Sequence, residues 1–317
     1  MVTPAPPGSR RGNRVTAIRW ARILRSLGHR VVVDQTYRNQ RCDLLVALHA
    51  CHSRAAVERF RTRWPDRPLV LALTGTDLYE DIHRDVQARA VLEWSTRLVV
   101  LQPLGIDELP VALRAKARVI YQSAVRPPNV PPPRTDVFEV CVVGHLRPVK
   151  DPFRTAWAAR RLPASSRVQV LHLGAALSDD MATQARTEMA VNPRYRWLGE
   201  LPRWKTLRVL ARTRLLVHSS EMEGGANVLS EAIACGTPVL ASLIPGNVGL
   251  LGADYPGYFP VGDTEALATL MHRAETNPDF YRALQRGVDR QKSLVDPARE
   301  RQSWAELLKE LFEGGRV

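Results

Sequence analysis

The sequence predicts an α/β protein of two domains, each built on an open parallel sheet. Short apolar runs alternate with helix-like segments along the chain, which is the pattern of βα units. The length of 317 residues is enough for two domains with separate cores. Five prolines fall in the nine residues 126–134, where neither a helix nor a sheet ladder can form. We therefore expect an N-terminal domain at 1–125, a Pro-rich linker at 126–134, a C-terminal domain at 135–295, and a last helix, 296–317, packed back across the domains.

The composition favours a cytoplasmic enzyme. No apolar run approaches the length that spans a bilayer, and the first residues lack the apolar core of a signal peptide. Four cysteines lie in or beside predicted buried elements without the spacing of a metal site, so we expect reduced thiols and no metal. They are Cys42, Cys51, Cys141 and Cys235.

The positive charge lies mainly in the first half of the chain. The whole chain carries +13, and residues 1–134 hold 22 Lys and Arg against 11 Asp and Glu, a net +11. A basic half is typical of proteins that bind nucleic acid, anionic lipid or a small anionic substrate, although an arginine-rich composition explains it equally well. A nucleic-acid binder would carry stacking aromatics among its arginines, and here aromatic residues make up 6% and are scattered. We therefore expect no nucleic-acid partner.

Polar residues follow the predicted strands of the first half. A very short strand at residues 2–3 leads through a loop to a helix over 13–27, capped by Asn13. Further strands are predicted at 31–33, 43–48, 69–73, 97–101 and 118–121, with helices at 53–63, 84–94 and 105–113. Ligands of parallel sheets bind at the carboxyl ends of strands. The candidates at this edge are Gly12, Asn13, Arg14, His49, Thr74, Thr76 and Asp77; a capped surface helix and a structural histidine are the alternatives.

The second half continues the alternation. Strands are predicted at 138–143, 168–173, 195–198, 215–217, 239–241 and 258–261. Helices are predicted at 179–191, 201–212, 226–235, 278–291 and 296–312, with another beginning near 265, and residues 242–254 read as a glycine-rich loop. The last helix places Trp304, Leu307, Leu308 and Leu311 on one stripe, which predicts packing.

Two cations follow the strand at 138–143. The segment begins with Gly144 and His145, and places Arg147 and Lys150 between the strand and the next helix. Fixed positive charge here could hold a pyrophosphate, Arg as a fork and Lys as a point charge. A surface ion pair is the alternative reading.

A Gly-Gly turn follows the strand at 215–217. Gly224 and Gly225 allow a sharp turn and a close approach to a ligand. The helix that starts near Ala226 and Asn227 presents free backbone N–H groups, which form an anion site. Glu223 and Glu231, with seven residues between them, lie on either side of its start and suit sugar and ribose hydroxyls better than phosphate. Together these features predict a nucleotide-sugar site.

The motifs resemble a known enzyme family. Gly144-His145-Leu146-Arg147 with Lys150, the pair Glu223 and Glu231, and Ala234-Cys235-Gly236-Thr237-Pro238 resemble the GT-B glycosyltransferases of the large group that includes sucrose synthases. That resemblance implies two Rossmann-like domains facing each other across a cleft, with a C-terminal helix closing the chain. Further segments extend it nearly end to end to the selenosugar synthases of selenoneine biosynthesis; they lie at 12–16, 72–79, 119–123, 194–202 and 223–227.

The resemblance implies a reaction and roles for the residues. A UDP-sugar, UDP-N-acetylglucosamine or UDP-glucose, would react with selenophosphate to give a 1-selenosugar and UDP, without a metal or other cofactor. Arg147 and Lys150 would hold the diphosphate, Glu223 the sugar hydroxyls and Glu231 the ribose hydroxyls. We expect Arg147, Lys150 and Glu223 to be the catalytic residues, and the basic N-terminal half, including Arg14 and His49, to receive selenophosphate.

Three rival functions remain at this stage. A glycosyltransferase with a hydroxyl acceptor, a lipid or polysaccharide, would require an exposed apolar or amphipathic patch, and no convincing one is visible; we expect no stable membrane association. A UDP-sugar epimerase would require an acid/base pair flanking the sugar, which the sequence does not identify. A non-catalytic nucleotide or nucleic-acid binding protein ranks last, and the oligomeric state is left open.

Overall fold

The computed structural model describes residues 1–313. Its contacts divide the chain into two compact units. The first comprises Met1–Gln122, Glu223–Ala226 and Pro297–Val317; the second comprises Ser123–Met222 and Asn227–Asp296. Residues 314–317, the end of the predicted last helix, lie outside the described residues.

Within residues 1–313, ten strands form two parallel sheets, one in each unit. The first sheet has the order β1-β2-β3-β4, and the second has the order β10-β9-β8-β5-β6-β7. The strands are β1 (Leu45–Leu48), β2 (Leu69–Ala72), β3 (Arg97–Val100), β4 (Ala117–Val119), β5 (Phe138–Val143), β6 (Val168–Leu173), β7 (Tyr195–Trp197), β8 (Leu215–His218), β9 (Val239–Ser242) and β10 (Tyr258–Phe259).

Twelve α-helices connect and cover these strands in residues 1–313. They are α1 (Gly12–Ser26), α2 (Ala50–Arg63), α3 (Ile82–Arg84), α4 (Val86–Trp94), α5 (Arg154–Arg160), α6 (Asp179–Val191), α7 (Arg203–Arg212), α8 (Asn227–Cys235), α9 (Pro245–Leu251), α10 (Thr264–Thr276), α11 (Pro278–Arg290) and α12 (Pro297–Glu313). The α/β class with parallel sheets is therefore confirmed.

The start of the first unit differs from the prediction in two places. Val2 forms single bridges to Ala47 and Asp34, whereas residues 31–33 form no strand. The first helix begins at Gly12 with Arg11 as its N-cap, so the prediction that Asn13 caps it was wrong. The Arg11 side chain makes no capping hydrogen bond, which leaves the first N–H groups of α1 without a side-chain cap.

The last helix, α12, is anchored in the first unit by a buried carboxylate. Glu300 accepts hydrogen bonds from Trp20 Nε1 at 2.7 Å and from Arg19 Nε at 3.0 Å. Trp304 stacks edge-on against Trp20 with ring centroids 4.9 Å apart. Leu307 and Leu308 are buried in the same core, and Leu311 packs against it, so the predicted packing stripe is confirmed.

In the second unit, the expected loop at 242–254 contains a helix. Pro245 occupies the first turn of α9, where its missing N–H is not needed, and Gly252 at φ +89° follows the helix end. At α8 the prediction holds: the helix ends at Cys235, and Gly236 follows with φ +71°. Among the described residues all four cysteines are free.

No helix within residues 1–313 combines the length and the apolar character that crossing a membrane requires.

Candidate functional site

In the sheet of the second unit, the order in which the chain adds strands reverses between the neighbouring strands β5 and β8. From β5 the chain proceeds through β6 to β7 on one side, and from β8 it proceeds through β9 to β10 on the other. At such a switch point the loops leaving the two central strands diverge, and α/β proteins bind ligands in the crevice that this opens. Both segments singled out in this half, 144–150 and the residues just after β8, begin at this point.

The Gly144 backbone and the His145 ring hydrogen-bond to the end of β6 and to the loop that follows it, and these contacts hold the loop after β5 in place. The Gly144 N–H donates to the Leu173 carbonyl at 2.9 Å, and His145 Nδ1 accepts from the Ala175 N–H at 3.1 Å. A Cβ atom at Gly174 would lie 1.9 Å from the Gly144 oxygen, so only glycine allows this approach. His145, expected to bind the donor, thus also joins the loops after β5 and β6.

A buried histidine supports this loop and was missed by the sequence analysis. His172 lies in β6, 1% exposed, and its Nε2 is 3.2 Å from the Gly144 carbonyl oxygen. Since a carbonyl only accepts, Nε2 carries the proton, and Nδ1 accepts from the Tyr195 hydroxyl at 3.0 Å. Burial lowers the pKa of His172 to about 4. The signal that could have found it is a histidine inside an otherwise apolar strand.

The loops after β5 and β8 are joined to each other. Ser219 Oγ donates to the Asp151 carbonyl at 2.9 Å, and the Glu221 N–H donates to the Val149 carbonyl at 2.9 Å. The two predicted cations lie in the loop after β5: Lys150 is partly buried, and Arg147 is exposed. Within residues 1–313 the guanidinium of Arg147 has no carboxylate partner, so its charge is available to an anion.

Glu231 lies on α8 and is engaged by an arginine that the sequence analysis did not single out. Its side chain is 7% exposed, and its Oε1 is 2.6 Å from Nη1 of Arg203, the first residue of α7. The sequence signal was weak, because an arginine at a helix start normally reads as solvated.

Glu223, Gly224, Gly225 and Ala226 group with the first unit. A Cβ at Gly224 would lie 2.6 Å from the Thr74 carbonyl carbon, and one at Gly225 would lie 2.5 Å from Leu101 Cβ. Close packing, against backbone at Gly224 and against a side chain at Gly225, therefore favours glycine at both positions. The carboxylate of Glu223 is buried.

The negative charge of Glu223 contributes to a raised pKa at Tyr79. Burial chiefly raises the pKa of Tyr79, and the negative charges of Glu108 and Glu223 raise it further. The Tyr79 hydroxyl accepts a hydrogen bond from Gln102 Nε2 at 2.9 Å. Tyr79 is consequently a neutral neighbour of Glu223 across the pH range of most enzymes.

Asp77 organises the loop after β2. Its carboxylate is fully buried: Oδ1 accepts from the Thr74 and Gly75 N–H groups at 2.9 and 2.8 Å, and Oδ2 accepts from the Ala50 N–H at 3.1 Å. Three backbone donors thus converge on one side chain, which ties the Thr74–Gly75 turn to the start of α2.

His49 lies directly before α2 in a strained conformation. Its φ is +74°, in the left-handed region that is costly for a residue with a Cβ. Its Nε2 is 3.2 Å from Thr76 Oγ1, and its buried Nδ1 has no hydrogen-bond partner within residues 1–313. The ring centroids of His49 and His52 are 4.2 Å apart. Burial lowers the pKa of His52, and the electrostatic effect of His49 lowers it further. The structure thus brings His49 and Thr76 together, as the sequence analysis expected.

The start of α1 is basic and lacks acidic residues. Gly12, Asn13 and Arg14 all lie in its first turn, where no Asp or Glu is present. Nη1 of Arg14 is buried without a hydrogen-bond partner among the described residues. Free N–H groups and an arginine at a helix N-terminus make an anion-binding arrangement.

The candidate residues fall into both units. Within the second lie Gly144, His145, Arg147, Lys150, Asn227 and Glu231; within the first lie Gly12, Asn13, Arg14, His49, Thr74, Thr76, Asp77, Glu223, Gly224, Gly225 and Ala226. The described part of the chain contains no cluster of three or more metal-ligating side chains.

Comparison with known proteins identifies the second half of the chain. Residues 128–291 match the family described as glycosyl transferases group 1. Among curated protein sequences, no significant match was found.

Solved structures share the fold over nearly the whole chain. HepE of Anabaena in complex with UDP and glucose is 17% identical with a TM-score of 0.76, over 96% of this chain and 98% of that one. A glycosyltransferase from Rickettsia africae is 12% identical with a TM-score of 0.76, over 98% of both chains. The sucrose-phosphate synthase from Thermosynechococcus elongatus is 20% identical with a TM-score of 0.69, over 86% of this chain and 74% of that one. The predicted GT-B fold class is therefore confirmed.

Proposed function

Because the chain belongs to the glycosyl transferases group 1 family, we propose that it transfers the sugar of a UDP-sugar to selenophosphate, in the cytoplasm, to give a 1-selenosugar for selenoneine biosynthesis. The carbon–selenium bond forms as the bond between the anomeric carbon and the UDP oxygen breaks. UDP leaves with the bonding electrons, and the selenium of selenophosphate supplies the pair for the new bond. The immediate product carries the phosphoryl group on selenium, and hydrolysis of the selenium–phosphorus bond by water releases phosphate and the 1-selenosugar.

The donor half of the proposal rests on the switch point between β5 and β8. The observation that carries it is the exposed Arg147, which has no carboxylate partner in the described chain and lies in a loop joined to the loop after β8. We assign the diphosphate to Arg147, Lys150 and the backbone N–H groups at the start of α8. The structural relative HepE was crystallised with UDP-glucose, which supports a uridine nucleotide as the carrier.

We assign two carboxylates to the hydroxyl groups of the donor. Glu231 takes the ribose hydroxyls, and Glu223 takes the sugar hydroxyls, because carboxylates accept hydrogen bonds from hydroxyl groups but repel phosphate. His145 and Gly144 support the loop that carries the cations.

Charge stabilisation is the main catalytic device in this proposal. The transition state resembles an oxocarbenium ion, and the departing UDP gains negative charge. Cations and N–H groups already aimed at that charge need no reorganisation during the reaction, and this is usually the largest catalytic contribution. The positive charges of Arg147 and Lys150 would neutralise the diphosphate, as a divalent cation does in other enzymes. We therefore propose turnover without added metal.

The acceptor half of the proposal rests on the first unit. Selenophosphate is anionic and already nucleophilic, so it needs a positively charged site rather than a strong base. The start of α1 offers free N–H groups and the buried Nη1 of Arg14, without an acidic residue in the first turn. The strained His49 is the weaker acceptor candidate, because its Nδ1, which has no partner in the described chain, is buried and its Nε2 lies 3.9 Å from the Asp81 carboxylate.

The test is a two-substrate assay with purified protein. UDP-N-acetylglucosamine and UDP-glucose are each incubated with and without selenophosphate, UDP is quantified, and products are examined by mass spectrometry for the isotope pattern of selenium. We expect selenophosphate-dependent UDP release and a selenium-containing sugar. UDP release that ignores selenophosphate, with no selenium product, would reject the acceptor; a sugar alcohol formed with added hydroxyl compounds would replace it. No reaction of either UDP-sugar would reject the donor as well.

A further inference from the structure

Arg203 and Glu231 form a short ion pair in the second unit. The two interacting atoms, Nη1 and Oε1, are 2.6 Å apart. The carboxylate side chain is only 7% exposed, whereas the arginine side chain is 44% exposed. The pair therefore consists of a buried anion and a partly exposed cation.

The position of Arg203 is unfavourable for its own helix. Arg203 and Lys205 both lie in the first turn of α7, which contains no acidic residue. The N-terminal end of a helix carries partial positive charge, so cations there oppose the helix dipole. Local helix stability thus does not account for Arg203, while its contact with Glu231 does.

Helix α8 is held from outside by two arginines. Arg203 contacts Glu231 in its middle, and Arg126 Nη1 donates to the carbonyl of Cys235, the last residue of the helix, at 2.5 Å. Helix α8 begins at Asn227, shortly after Gly224 and Gly225 in the chain. Glu231 lies one helical turn into α8, and Arg203 contacts its carboxylate from another helix.

We infer that Arg203 is a positioning residue for nucleotide binding: it orients the Glu231 carboxylate toward the ribose hydroxyls of the donor. This inference rests on the proposed function, which assigns those hydroxyls to Glu231. Without the guanidinium, a buried carboxylate loses the cation that fixes its rotamer, and both hydroxyl contacts weaken. Arg203 itself acts through Glu231 and takes no part in bond breaking.

The test measures UDP binding and steady-state kinetics. Isothermal titration with UDP should show about tenfold weaker binding for Arg203→Ala, equivalent to the loss of one good hydrogen-bonded contact. The KM for the UDP-sugar should rise by a similar factor, while kcat changes little, because the lost contact serves ground state and transition state alike. Arg203→Lys should recover part of the affinity, since it restores the charge but not the fork.

Two controls separate positioning from general damage. Arg208→Ala, on the same helix, removes a guanidinium that donates to the Pro128 and Asn129 carbonyls, and this variant should bind UDP normally. In the Glu231→Gln background, Arg203→Ala should weaken UDP binding no further. Thermal unfolding of each variant verifies that it is folded.

Each outcome decides the inference. Normal UDP affinity in Arg203→Ala, or a loss of the same size with and without Glu231, overturns it while leaving the proposed donor site intact. A wild-type protein that binds no uridine nucleotide overturns the inference and the proposed function together. Wild-type UDP binding with no turnover of selenophosphate overturns only the proposed acceptor.

Discussion

The Nε2 of His172 donates a hydrogen bond to the carbonyl oxygen of Gly144, 3.2 Å away. This contact joins the interior of β6 to the first residue of the loop that carries Arg147 and Lys150. A neutral, buried imidazole therefore hydrogen-bonds the first residue of the proposed diphosphate-binding loop.

Folding stability should fall at mildly acidic pH because of His172. Its pKa is lowered from 6.5 to about 4 by burial, so between these values the unfolded chain binds a proton that the folded chain does not. The stability that the folded protein has because His172 is neutral is fully present above pH 6.5, and it is lost as the pH falls toward 4. The wild type should lose about 2 kcal/mol through this group between pH ~7.5 and ~5.

Urea titrations at the two pH values measure this effect. His172→Gln should be less stable than the wild type at neutral pH but should lose about 2 kcal/mol less on acidification. Replacement of the exposed His29 by Gln should leave the wild-type pH dependence. An unchanged pH dependence in His172→Gln would refute the assignment.

Arg147→Ala and Lys150→Ala should each abolish turnover without unfolding the protein. Both remove a fixed charge that we assign to the leaving UDP, and losing one such group typically raises the barrier by about 3–4 kcal/mol, a 10²–10³-fold lower kcat. Steady-state UDP release measures the effect, and circular dichroism monitors the fold. Arg186→Ala on α6, an exposed arginine of the same unit, should retain full activity. Near-normal rates in both site variants would eliminate the leaving-group assignment.

Gly224→Ala should impair catalysis more than stability. Its Cβ would lie 2.6 Å from the Thr74 carbonyl carbon, so the turn that carries Glu223 has to shift. A displacement of about 1 Å at a site residue can lower kcat by roughly 10²-fold. Gly75→Ala is the matched comparison, because a Cβ there meets nothing closer than 3.8 Å and should have a much smaller effect. Equal rates for the two variants would show that the close approach at Gly224 does not matter for function.

Glu300→Ala should destabilise the first unit by about 3 kcal/mol, because it leaves Arg19 and Trp20 Nε1 without their buried partner. Urea unfolding monitored by tryptophan fluorescence reports on this region through Trp20 and Trp304. Glu306→Ala removes a carboxylate that accepts a surface hydrogen bond from Gln302 on the same helix, and it should change stability by less than about 0.5 kcal/mol. If both variants unfold at the same urea concentration, the buried contact does not anchor α12.

Much of the fold follows from local patterns. Neighbouring residues alone predict the apolar strands β5, β6 and β8. They also predict the helix end at Gly236. Errors occurred where local signals were ambiguous. The glycine-rich stretch around Pro245 still forms α9, and the apolar segment 31–33 forms no strand, because only tertiary context decides whether such short segments pair or coil.

The candidate site was predictable where it depends on chain order and not where it depends on distant contacts. The sequence by itself determined that Arg147 and Lys150 follow one strand and that the Gly224–Gly225 turn follows another, because residue order after a strand is local information. Only the tertiary structure decided that His172 holds the Gly144 carbonyl and that Arg203 holds Glu231. Each of those pairs joins residues 28 positions apart, and such contacts form only when separate strands and helices pack together, since nothing in the neighbouring residues of either partner specifies the other.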